Sequence, residues 1–147
     1  MKIILATNVS TSYQQVFEGF DLKLFKALKP PLTGLEVKRF DGCSKGDEVH
    51  LEVSILGQKK KWVSLITEDQ QNEQEIYFID EGRVLPPPLA FWKHKHRIIR
   101  RTQDKSTIID EIEFRTHSKV MDAIIYPALY AQFRLRKPVY RKFFGKA

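Results

Sequence analysis

Cysteine is almost missing from this chain. Cys43 stands alone, so there is no internal disulfide framework and no cysteine cluster to hold zinc, which fits a reducing compartment. Long apolar runs are missing too. The stretch Ile3 to Ala6 gives way to Thr7 and Asn8, too short for the core of a signal peptide, and nowhere do the roughly 18 apolar residues of a membrane span occur together. Neither export nor a membrane span is expected, and the cytoplasm is the expected compartment. There is no internal repeat and no low-complexity linker. Acidic residues are scarce toward the C-terminus, where seven Lys and Arg follow Ser118 and only Asp122 opposes them.

What remains is the composition of an ordinary folded protein. With 147 residues, 42% hydrophobic and 29% charged, the chain suits one domain, residues 1–147, with a real core. Lys and Arg number 25 against 18 acidic residues, a formal net charge of +7. A second basic cluster, Lys93, Lys95, Arg97, Arg100 and Arg101, falls in one strand-like run. No nucleic-acid motif accompanies the charge, so it reads as solvated outer faces and nucleic acid is not an expected partner. A protein- or RNA-interaction surface is the outlying alternative. No oligomeric state is assigned.

Hydrophobic periodicity lays out the elements. Lys2 to Val9 is rich in β-formers and is followed by Ser10 to Ser12, a strand leading into a helix cap. Val16, Phe17 and Phe20, then Leu22, Leu24, Phe25 and Leu28, predict two short helices jointed at Gly19 to Asp21 and stopped by Pro30 and Pro31. After Gly34 the period becomes two. Leu35 and Val37 open a strand, and Val49, Leu51, Val53 and Ile55 form the clearest half-buried one. A hairpin at Gly57 and Gln58 leads to a return over Lys61 to Glu68, then a turn at Asp69 to Glu73 and a strand over Glu75 to Asp80. Prolines 86–88 interrupt the sheet. Phe91 to Thr102 and Thr107 to Thr116 form a last hairpin.

From Ser118 the spacing becomes helical again. Met121, Ile125, Ala128, Leu129, Gln132, Phe133, Tyr140 and Phe143 make a mostly apolar stripe, with Asp122 among the residues placed elsewhere on the wheel, and a frayed basic tail follows. Pro127 and Pro138 either kink this helix or, at Pro127, start it. The fold class is α+β: a curved antiparallel sheet of six or seven strands around a long C-terminal helix, with two short helices after the first strand.

The chemistry lies in the last hairpin. In FWKHKHRIIR the two-residue period puts Trp92, His94, His96 and Ile98 on one face and Phe91, Lys93, Lys95 and Arg97 on the other. In the partner strand Ile108, Asp110, Ile112 and Phe114 share a face, so one carboxylate sits among inward apolar positions and meets His94 or His96. Three readings stand: a three-ligand metal set, a His–Asp general base with no evident nucleophile, and a hydrogen-bonded pair lining a cavity. The metal set needs supporting partners that spacing does not supply, so no metal and no cofactor are assigned, and the third reading is preferred. His50 and His117 receive no role.

These residues also carry a family resemblance. FIDEGRVLPPPLAFWKHKHRI, then TIIDEIEF and a long C-terminal helix, resembles the bacterial ligand-binding branch of the START and birch-pollen-allergen superfamily. Phe78, Asp80 and Glu81 match its Phe-Val-Asp-Glu stretch, Trp92, His94 and His96 its Trp-x-His-x-His, and Thr107, Asp110, Ile112 and Phe114 its Thr-x-x-Asp-x-Val-x-Tyr. Pro87, Pro88 and Leu89 stand where Gly-Pro-Phe is usual. The resemblance implies a helix-grip fold with a hydrophobic cavity between sheet and helix, in proteins that bind or transfer lipids, sterols and polyketides, some of them cyclising or dehydrating polyketides. It implies binding of a small hydrophobic molecule, with Phe78, Trp92, Ile112, Phe114, Ile125 and Leu129 as apolar wall and His94, His96 and Asp110 as polar end. The alternative is a cyclase or dehydratase using His94 or His96 with Asp110.

Overall fold

A computed structural model describes residues 1–30 and 34–147. In chain order the elements are β1 (Lys2–Val9), α1 (Tyr13–Glu18), α2 (Leu22–Ala27), β2 (Gly34–Phe40), β3 (Glu48–Ile55), β4 (Gln58–Gln71), β5 (Glu75–Val84), β6 (Leu89–Arg100), β7 (Ser106–Thr116), α3 (Lys119–Arg134) and α4 (Arg136–Phe144). The seven strands form one antiparallel sheet, ordered β1-β7-β6-β5-β4-β3-β2. Alternation explains its inner face. In β1, Ile3, Leu5, Thr7 and Val9 are buried and their neighbours exposed. Register shifts in the β2–β3, β4–β5 and β6–β7 pairings bend the strands where the sheet must curl.

Side-chain caps start the helices. Ser12, Asp21 and Ser118 accept from the backbone N–H three residues on, at Gln15, Leu24 and Met121. Between β3 and β4 the turn is one residue earlier than the spacing suggests. Leu56 and Gly57 both have positive φ, 51° and 77°, and Gln58 already pairs with Ile55. A two-residue turn of this hand matches the strand twist, which is why the glycine stands second in it. Asn72 closes the β4–β5 turn, its side-chain oxygen accepting from Gln74 and Glu75. Pro30 lies beyond α2 as expected, whereas Pro31 lies outside the described residues.

The C-terminal helix is one rod with a joint. Pro127 lies inside α3, neither starting nor ending it. The carbonyl it leaves without an intrahelical donor belongs to exposed Ala123, where water can serve. The break comes at Leu135, just after Arg134, whose carbonyl faces the missing N–H and crowding ring of Pro138. Inward-facing residues differ in part from the stripe read from spacing. Ile125, Leu129, Phe133 and Tyr140 are covered, but Met121 and Ala128 are exposed, and Asp122 is buried. Asp122 turns inward because its carboxylate accepts the Thr116 N–H at 2.6 Å, closing the end of β7 and holding the acid below its usual range.

Nor is the tail frayed. Gly145 and Lys146 offer carbonyls to Ser10, and Phe144 offers its carbonyl to the Thr11 hydroxyl, pinning the chain end beside β1. Two apolar clusters result. Val9, Tyr13, Val16, Leu24, Ile76, Ile98, Ile108, Tyr140 and Phe144 close one end under α1 and α4. Ile3, Leu5, Trp92, Ile112, Phe114 and Phe133 fill the space under α3, with Ile125 and Leu129 against them. Because α3 and α4 lean on β1 and β7, the inner face of the curled β2–β4 half is less covered.

Two residues of the outer basic run of β6 have partners on neighbouring strands. Arg97 donates to Glu75 and Glu111, both at 2.9 Å, and Lys95 lies 4.1 Å over the Tyr77 ring. No described helix is long and apolar enough to cross a membrane.

Candidate functional site

A cavity of about 210 Å³ lies where the helix leaves β2–β4 partly uncovered. Its walls come from Phe20, Leu24, Phe25 and Leu28 of the α1–α2 region, from Val49, Leu51, Val53 and Trp62 of β3 and β4, and from Leu129 and Phe133 of α3. One end is polar. Asp80, His94, His96 and Arg136 border it there, while exposed Lys29 and Asp21 stand at the rim.

Strand register builds that polar end. Asp80 of β5 lies opposite His94 of β6, and Asp110 of β7 lies opposite His96. The hydrogen bonds run diagonally instead: His94 Nε2 to Asp110 Oδ1 at 2.9 Å, and His96 Nε2 to Asp80 Oδ2 at 2.7 Å. Diagonal neighbours on one sheet face are within reach of long side chains. The two imidazoles stack, 3.6 Å between centroids, and Phe78 stacks on the far side of His96 at 4.3 Å. Each ring therefore presents one edge to Asp80 and the other to Asp110, with His94 Nδ1 3.7 Å from Asp80 Oδ2 and His96 Nδ1 3.9 Å from Asp110 Oδ1. Among the described residues His96 Nδ1 is buried without a hydrogen-bond partner.

Asp110 is the hub. At 2% exposure it also accepts from the Tyr140 hydroxyl at 3.3 Å and lies 3.5 Å from Arg136 Nη1. The Arg136 guanidinium stacks on Phe133, 4.4 Å from the ring centre. Burial opposes the charge on Asp110, but the His94 hydrogen bond and the Arg136 charge win and bring its pKa down to about 2. Asp80 is also lowered, burial being overcome by the His96 hydrogen bond and the imidazoles. For His94 burial dominates, reinforced by the neighbouring His96 ring, and its pKa falls to about 4. Tyr140 is held firmly as the phenol by burial and the Asp110 charge. Burial and the charges of Asp80, Asp47 and Asp21 push Cys43 up to about 12, so this cavity-lining thiol is no nucleophile near neutrality.

A stability signature follows from His94. Its folded pKa of about 4 lies below the ordinary histidine value of 6.5, so between these values the unfolded chain takes up a proton that the folded chain refuses. Stability falls as the pH drops through that window. Urea midpoints at pH 7 and pH 5 should differ in the wild type, and His94→Gln should flatten the difference.

Of the residues read from the sequence, Phe78, Trp92, His94, His96 and Leu129 border the cavity. The others lie behind the wall: Ile112 and Phe114 are fully buried in the cluster under α3, Ile125 packs against it, and Asp110 holds His94 from behind. Three further residues belong to the site: Asp80, which enters above only through the family resemblance, Tyr140, which enters only in the helical stripe, and Arg136, which spacing does not single out. The two-residue rule that singled out Asp110 also marks Asp80, which follows Ile76 and Phe78 on one face of β5. Arg136 lies three residues after Phe133 and four before Tyr140, on the inward side of the helix. The histidines and Asp80 also place one donor atom each within 4.8 Å of one another, a possible metal-ligand set.

No protein-family model matches the sequence, and no curated protein matches it at a significant level. Solved structures do match. A Chromobacterium violaceum protein is 17% identical with a TM-score of 0.72, covering 99% of this chain and 98% of that one. A START superfamily protein of Mycobacterium smegmatis is 12% identical with a TM-score of 0.58, covering 90% and 95%. The chain has the helix-grip fold. The Zhui aromatase/cyclase from Streptomyces sp. R1128 shares this helix-grip architecture, at 13% identity and a TM-score of 0.61 over 100% and 99% of the chains. A helix-grip sheet curls round its C-terminal helix, and here the polar cluster sits at that seam, joined to both by Asp110 of β7 and Arg136 of α4. At these identities the likeness speaks for fold alone.

Proposed function

We propose that the protein binds a small hydrophobic molecule bearing a polar group, in the cavity between sheet and C-terminal helix. The observation that carries this is the division of the cavity: aromatic and aliphatic side chains on most walls, and Asp80, His94, His96 and Arg136 gathered at one end. Such a lining excludes water from most of a ligand and fixes its orientation by a few polar contacts. Size narrows the lipid, sterol and polyketide-like range. A cavity of roughly 150 Å³ takes up benzene, so about 210 Å³ suits a compact one- or two-ring compound or a short acyl chain better than a sterol. Native mass spectrometry of gently purified protein tests the reading. A co-purified apolar compound, or uptake of one to a single equivalent, is expected; bare polypeptide that takes up none would sink it.

A second reading, proton-transfer catalysis of the cyclase or dehydratase type, draws on the two His–carboxylate bonds of 2.9 and 2.7 Å at the cavity's polar end. Asp110 fixes His94 Nε2 as the donor and leaves Nδ1, on the Asp80 edge, to exchange a proton with a bound compound. Turnover lost in His94→Gln, His96→Gln and Asp110→Asn with ligand affinity kept would favour it over simple carriage.

A further inference from the structure

We infer that Asp80, His94 and His96 form a three-ligand site for a first-row divalent transition metal, zinc or iron(II), at the polar end of the cavity. His96 donates a hydrogen bond from Nε2–H to Asp80, which leaves Nδ1 buried and, among the described residues, without a partner, 3.9 Å from Asp110 Oδ1. An ion on the Asp80 edge of the stack reverses this. It takes Nε2 of His96 as a ligand, the proton moves to Nδ1, and that N–H then faces Asp110. No proton is gained or lost by the ring, and the orphaned nitrogen becomes a donor toward a carboxylate.

His94 is already arranged that way. Its Nδ1 looks toward Asp80 and its Nε2 is bonded to Asp110, so both rings would bind the ion by one edge and rest the other on the same carboxylate. Metal-bound histidines almost always have such a partner on the second nitrogen. Asp110 is itself held by Tyr140 and Arg136, which fixes it for both rings. These are the supporting partners that sequence spacing alone does not provide.

Charge and distance agree. Arg136 answers Asp110, but among the described residues no Lys or Arg lies within ion-pair distance of Asp80, whose close neighbours are the two imidazoles. The Arg136 charge acts on Asp80 only from beyond ion-pair distance, so this half-buried carboxylate and its two imidazole partners remain a donor set able to take a cation. The donor atoms all lie within 4.8 Å of one another, with 2.7 and 3.7 Å between Asp80 Oδ2 and the two nitrogens. Metal–ligand lengths of about 2.0–2.2 Å place tetrahedral ligands about 3.3–3.5 Å apart, within reach of side-chain shifts of about 1 Å. Two imidazoles and a carboxylate suit zinc, iron(II) or cobalt(II) rather than calcium or magnesium. Since all three ligands border the cavity, a further position on the ion faces it. The inference thus deepens the binding reading, and gives the ligand's polar group an oxygen to coordinate.

The test uses the full chain, stripped with EDTA and titrated with Co²⁺ under visible absorption, with Zn²⁺ as competitor. One equivalent is expected, with absorption bands of a four- or five-coordinate ion that Zn²⁺ removes. Affinity should fall at least 100-fold in His96→Gln and Asp80→Asn, about 10–100-fold in Asp110→Asn, and stay unchanged in the control His50→Gln, a half-buried histidine outside the cavity lining. No saturable binding by wild type, or undiminished binding by a folded His96→Gln, would overturn the site. An apolar fluorescent probe added to the stripped protein separates the two readings: probe binding without metal binding removes only the metal, and metal binding without probe binding removes only the hydrophobic ligand.

Discussion

Asp110→Ala should lower stability by about 3–5 kcal/mol in urea denaturation, the cost of breaking a buried ion pair by removing one member. The carboxylate is buried at 2% exposure and serves three groups at once, His94 at 2.9 Å, the Tyr140 hydroxyl at 3.3 Å and Arg136 at 3.5 Å. Its loss strands the Arg136 cation between Phe133 and the sheet, and leaves two donors without an acceptor. A domain is commonly stable by only about 5–15 kcal/mol, so this is a large share. The companion variant separates stranded charge from lost packing. Arg136→Met removes the cation, and the double variant Asp110→Ala with Arg136→Met should be clearly less damaged than the sum of the two singles. Additive losses would show that Asp110 does not neutralise Arg136.

The second large effect concerns the cavity. Leu51→Trp should weaken binding of an apolar ligand at least tenfold while leaving the fold standing. Leu51 sits mid-strand in β3, opposite Val37 and Trp62, with its side chain on the cavity wall. An indole there must occupy the space that the ligand needs. In a close-packed core the same enlargement costs about 1–3 kcal/mol through strain; open volume absorbs much of that, so the urea midpoint should move little. A large loss of stability would mean that the wall is packed tight.

Much of the architecture was legible because it rests on periodicity. Alternation in β3 and β6 and the three- and four-residue spacing of the last helix reflect backbone geometry, and they give the antiparallel sheet, the short helices and the long one in the right order. The inward histidines and Asp110 followed from the same rule. What spacing could not give was depth. Ile112 and Phe114 point inward like Trp92, but α3 covers them, so they are core while Trp92 reaches the cavity. Nor could spacing show that β5 brings Asp80 beside His96, since that depends on register across strands. Arg136 was hidden for another reason: a cation in a basic segment reads as solvated until its carboxylate is found. The tail seemed free because the bonds that hold it come from Ser10 and Thr11, far away in sequence.

Whether the space between sheet and helix holds an apolar molecule is decided by titrating the wild type and Leu51→Trp side by side with one apolar fluorescent probe. Saturable binding at one site is expected in the wild type, competed by small ring compounds, with at least tenfold weaker binding in the variant at similar stability. Equal affinity in both proteins, or no saturable binding in the wild type, would contradict it.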